Sequence, residues 1–158
     1  MFASPQQVIN KIGINVLLQF VSGKFGEVGD YENTPKVEDV ELALLNSPAS
    51  ALQEQINAWY LESDKAVSAL ITGYVARFNL TQAEIDVSVL PGVYIDLMTY
   101  ELCINAESED ISDKRNFAMR QLDKVSKGVI QIKNPSTVSS TTSMRTKKVY
   151  SSFNLESF

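Results

Sequence analysis

Residues 48–78 constrain the fold more than any other stretch of the chain. Leu52, Ile56, Trp59, Tyr60, Val67, Leu70, Ile71, Tyr74 and Phe78 recur at threes and fours; no glycine interrupts them before Gly73, and no proline follows Pro48 until Pro91. Apolar residues at that period form one stripe of an α-helix. Unbroken, the helix is about 46 Å long at 1.5 Å per residue, so the other elements must pack along it. The sequence leaves open whether the helix is continuous; if it breaks, the place is Glu62-Ser63-Asp64, because Ser and Asp cap helices better than they fill them.

The flanking sequence reads as shorter helices. Ser4-Pro5-Gln6-Gln7 pairs an N-cap with proline at the first helical position and glutamine three residues after the cap. Val8, Ile9 and Ile12 line that helix, and Gly13 turns the chain into a second segment over residues 15–20. Residues 22–34 hold three of the seven glycines and read as a loop. Thr34-Pro35 repeats the cap-then-proline signal before Val37, Val40, Leu42, Leu44 and Leu45, and Asn46-Ser47-Pro48 ends that helix. Thr81-x-x-Glu84 predicts a single capped turn. The helix from Pro91, with Ile95, Leu97, Met98, Leu102 and Ile104, is apolar on more than one side and is the expected core helix. After an acidic loop over residues 107–111, Ser112 caps a last helix through Phe117, Leu122 and Val125, which Gly128 ends. Val129-Ile130-Gln131-Ile132 alternates like a short strand.

The whole is an all-α helical bundle with one long helix, a short extended segment after the last helix and an extended C-terminal arm. A chain of 158 residues, 44% apolar, suits one helical domain over residues 1–133 with an arm over residues 134–158. The absence of a basic-then-apolar leader and of any span-length apolar run predicts a soluble, unprocessed protein that does not engage membrane. Residues 1–133 carry 18 acidic and 11 basic side chains, whereas the arm carries Arg145, Lys147 and Lys148 against Glu156 alone. An acidic body lacks the cationic surface that supplies most non-specific affinity for nucleic acid.

Chemistry is scarce. There is no histidine, so the commonest general base, triad partner and zinc ligand are missing. Neither GxGxxG nor GxxxxGK(S/T) occurs, and no cofactor is expected. Glu107, Glu109, Asp110 and Asp113 are of the type that binds a hard cation, but they lack the EF-hand order and its glycine. They read instead as a solvated loop whose charge favours the next helix's N-terminus. Cys103, the single cysteine, reads as a buried structural thiol, and Trp59 and Tyr60 read as core. The chain is not expected to be an enzyme.

Four segments, MFASPQQVINKIG, DKAVSALITGYVARFNL, LPGVYIDLMTYELC and AMRQLDKVSKGVIQI, follow one another in an order that resembles the Mu-like phage family of head-tail connector (adaptor) proteins, also called head completion proteins. The matching positions are Ser4, Pro5 and Gly13, then Tyr74, Arg77 and Phe78, then Pro91, and finally Leu122 and Gly128. The resemblance covers roughly residues 1–133, with residues 47–64 reading as an insertion and the arm as an extension. It implies a structural virion protein made in the host cytoplasm and seated at the neck, the head-tail junction. There it forms a homo-oligomeric ring, commonly of twelve subunits, below the portal protein. Its tail-side partners are neck or tail terminator proteins, and DNA passes through the channel without specific binding.

The arm contains 11 Ser or Thr among 25 residues and ends in a cluster of anchors. Arg145, Lys147, Lys148, Val149, Tyr150, Phe153, Leu155 and Phe158 are the candidate partner-binding residues. Fully extended, the arm reaches about 80–90 Å. Burying Tyr150, Phe153, Leu155 and Phe158 supplies roughly 6–12 kcal/mol, against about 10–20 kcal/mol of backbone entropy to order the last ten residues. Anchors alone are therefore too weak, and strand hydrogen bonds or repetition around an assembly must add to them. The alternative reading is a small cytosolic helical regulator that binds one partner through the same arm.

Overall fold

The computed structural model describes residues 1–26, 34–103 and 109–132. Among the described residues seven α-helices run in the order α1 Pro5–Ile12, α2 Ile14–Phe25, α3 Val37–Leu45, α4 Ala51–Val75, α5 Gln82–Asp86, α6 Leu90–Leu102 and α7 Glu109–Ser126. The all-α class follows directly from this order. The boundary placed between residues 133 and 134 lies outside the described residues.

The long helix is continuous through Glu62-Ser63-Asp64, which settles the question the sequence left open. Ser63 is buried in register with Tyr60 and Val67. Asp64 turns its carboxylate away from the local backbone, accepting hydrogen bonds from the Ser68 hydroxyl at 3.1 Å and the Tyr94 hydroxyl at 2.6 Å. A polar side chain with tertiary partners no longer competes for the helix's own amides. The ends differ from expectation. The Ser50 hydroxyl accepts from the Gln53 amide at 3.3 Å and caps α4, and the α-helix gives way at Val75 to one 3-10 turn, Ala76–Phe78. Its 25 residues span about 37 Å rather than 46 Å. Asn79, at φ 47°, stops it in a left-handed conformation that asparagine tolerates.

Three other boundaries move. The second segment extends to Phe25, taking in the start of the predicted loop. α3 is capped by Lys36 and not by Thr34, because the Asp39 carboxylate accepts the Lys36 amide at 3.0 Å. α7 is already helical at Glu109, so Glu109, Asp110 and Ile111 belong to its first turn and Ser112 lies inside it. The remaining punctuation holds. Ser4 and Gln7 exchange the two capping-box hydrogen bonds, Thr81 and Glu84 do the same at α5, and Gly13 turns between α1 and α2 at φ 95°. At the end of α7 the Gly128 amide donates to the Val125 carbonyl and the Val129 amide to the Lys124 carbonyl, a Schellman turn.

The core lies between α4 and α6, with α7 packed along both and α3 against the other side of α4. α6 buries Val93, Tyr94 and Ile95 in succession, together with Leu90, Leu97, Met98 and Leu102, which is possible only for a helix covered on several sides. α4 contributes Ile56, Tyr60, Val67 and Ile71, and α7 contributes Ala118, Leu122 and Val125. No strand forms among the described residues. The alternation after Gly128 instead turns Ile132 into the core, packs Ile130 against it and leaves Val129 in solvent.

Candidate interaction surface

The eight arm residues singled out from the sequence, Arg145, Lys147, Lys148, Val149, Tyr150, Phe153, Leu155 and Phe158, lie outside the described residues. The surfaces open to partners in the helical body are ones that sequence reasoning passed over.

The first is a cleft of about 410 Å³ where α1, α2, α6 and α7 meet. Its walls are Ile12, Val16, Phe20, Ile95 and Ile111, and Asp96 opens into it between Lys11 and Lys114. Asp96 occupies an outer position of the core helix, where partial burial raises its pKa and the two lysines pull it back. An apolar wall with two carboxylates, Asp96 and Asp110, and two amines suits docking of a side chain or peptide. A carboxylate of raised pKa in a cleft is also the usual mark of acid–base chemistry. No nucleophile–base pair accompanies it among the lining residues.

The other two surfaces are helix faces. On α3, Glu38, Glu41, Leu42 and Leu45 follow one another at i, i+3, i+4 and i+7 and all point to solvent. On α7, Phe117, Arg120 and Lys124 lie on one exposed face at i, i+3 and i+7, and Lys127 continues it in the turn after the helix. Phe117 is 55% exposed, unusual for a phenylalanine. The α3 stripe joins two glutamates to two exposed leucines, and the α7 stripe joins Phe117 to basic residues, with Asp113 one turn before it. Periodicity alone marked Leu42, Leu45 and Phe117 as ordinary helix positions, and which side of each helix faces outward is set by its neighbours.

The remaining candidates resolve simply. Among the described residues no group of His, Cys, Asp or Glu could hold a metal ion; Glu107 lies outside them, and Asp110 pairs with Lys114 at 2.6 Å. Cys103 is half-buried at the end of α6 and not fully buried. Trp59 packs edge-on against Phe25, ring centres 5.7 Å apart, and Tyr60 is buried, both as core residues. No helix among the described residues is long and apolar enough to cross a membrane.

The family model described as bacteriophage Mu, Gp36 matches residues 33–151. That span begins after α2 and includes residues 47–64, so the stretch read as an insertion lies inside the family region. It also takes in the arm through Tyr150, leaving Phe153, Leu155 and Phe158 beyond it. No curated protein and no solved structure matches the chain. With about three-quarters of its length matched, the chain belongs to the bacteriophage Mu Gp36 family and is a Mu-like phage protein.

Proposed function

We propose that this protein is a structural component of the virion, a head-to-tail connector that forms a ring below the portal and joins the head to the tail. The observation that carries the reading is the family match over residues 33–151. Two features of the chain support it. Residues 1–133 have an acidic surplus, which keeps a channel wall from gripping the phosphate backbone of passing DNA. The body also offers exposed helix faces and an apolar cleft as its chemistry, surfaces suited to contact and not to turnover.

In this reading the portal protein lies on one side of the ring and neck or tail terminator proteins on the other. The arm, through Arg145 to Phe158, reaches a neighbour. The test is microscopy and native mass spectrometry of assembled particles. A ring of this chain at the portal exit supports the proposal, and a chain absent from particles, or found one-to-one with a soluble host protein, replaces it with the regulator reading.

A further inference from the structure

We propose that the acidic stripe of α3 and the basic stripe of α7 are the two halves of one contact, made between successive copies of this chain. The inference rests on the ring reading for its biological setting, but its argument comes from the helix surfaces themselves.

The two stripes are complementary in charge, Glu38 and Glu41 on one against Arg120 and Lys124 on the other. Glu38 and Glu41 flank Leu42 and Leu45 on α3, the leucines 38% and 40% exposed. Arg120 and Lys124 follow Phe117 on α7, and Lys127 lies in the turn just after it. None of these five charged side chains makes a hydrogen bond or ion pair among the described residues. Exposed apolar residues grouped with charges on one helix face have the make-up of a contact with an apolar centre and a polar rim.

Their placement points to a second copy as the occupant. α3 packs on α1, α2 and α4, whereas α7 packs on α4 and α6, so the stripes sit on different flanks of the bundle. A patch and its complement on different flanks of one chain cannot satisfy each other within it. Between copies they make a heterologous, head-to-tail contact, the type that closes rings. Apolar residues supply the buried area and the charges fix partner and register, because like stripes repel.

The test uses two charge-reversed chains, E38K/E41K and R120E/K124E, compared with wild type by mass photometry and sedimentation. All four positions are exposed, and circular dichroism checks that both variants fold. Each variant alone is expected to associate at least about tenfold more weakly than wild type, because all its contacts become like-charged. A one-to-one mixture is expected to recover association, since α3 of either chain then meets an oppositely charged α7 of the other. Carbodiimide cross-linking of mixed light and heavy isotopic wild-type chains should join Glu38 or Glu41 of one copy to Lys124 or Lys127 of another. Normal association by both single variants, no recovery in the mixture, or a monomeric wild type without these cross-links overturns the pairing. If wild-type rings occur at the neck and the variants form them equally well, the pairing falls and the ring reading stands. If the mixture recovers association but particles contain no ring, the reverse holds.

Discussion

The Tyr94 hydroxyl, carried by α6, donates to the Asp64 carboxylate on α4 at 2.6 Å, at the point in α4 where Glu62-Ser63-Asp64 weakens the helix locally. The core helix thus holds the long helix unbroken. A hydrogen bond to a charged acceptor contributes more than a neutral one, so Y94F should lower stability by about 1.5 kcal/mol in chemical denaturation. Tyr60 provides the internal control. Its hydroxyl is buried near that of Tyr94 but makes no hydrogen bond of ordinary length and angle, so Y60F removes chiefly a burial cost. That variant should leave stability unchanged or raise it by up to about 1 kcal/mol. Equal losses for both variants would argue against the Asp64 bond as the source.

Alkali should unfold this protein through the same pair. Burial pushes the Tyr60 phenol up to about 12, with Tyr94 lowering it and Asp64 raising it further. Tyr94 is pushed well above its ordinary range, first by burial and then by its bond to Asp64. The folded state therefore keeps both phenols protonated after the unfolded chain has begun to lose those protons near the ordinary value of 10.0. Stability is fully present below that pH and falls as pH rises through about 12. Tyrosinate absorbance should appear together with loss of helical circular dichroism. A gradual titration with the helices intact would contradict this.

Two glycines are needed for backbone reasons alone. A Cβ would meet no atom within 4 Å at Gly13 or Gly128, yet their φ values are 95° and 74°. Gly128 is in the left-handed helical region, so G128A should cost about 1 kcal/mol. Gly13, with ψ 135°, lies outside that region as well, and G13A should cost more, about 2 kcal/mol. Thermal denaturation of the two variants should rank them in that order.

Asp96 should be the carboxylate whose neutralisation helps. Burial raises its pKa against the pull of Lys114 and Lys11, so the fold favours its protonated form. That contribution is present below its ordinary value and is lost as pH rises. D96N is expected to melt higher than wild type at neutral pH, with the gap closing on acidification. A lower melting temperature at neutral pH would mean that the two lysines outweigh the burial.

Removal of the arm tests the proposed division of labour. A chain ending at Lys133 should keep the helical circular dichroism of the full protein, because the core helices all lie before that point. Particles assembled with it should contain heads and tails that fail to join. Normal joining would remove the arm from the proposed contact.

The sequence by itself determined the class and most of the punctuation. The stripe from Leu52 to Phe78, the capping boxes at Ser4 and Thr81, the apolar wrap of the core helix and the glycine stop at Gly128 are local signals, set by side chains within a few residues of one another. The resemblance read from the order of those elements is met at the level of a Mu-like phage protein by the match over residues 33–151, which leaves Ser4 outside. Only the tertiary structure decided whether Asp64 breaks α4 or anchors it, because the answer depends on Tyr94, 30 residues away. The same holds for Gln53, a polar residue buried because its side chain joins Asp39 to the start of α4. Packing likewise decided that Ile130 and Ile132 turn to a core instead of a ladder, and that Leu42, Leu45 and Phe117 face water. Periodicity defines a helix's faces, but which face is covered depends on the neighbours that long-range packing brings beside it.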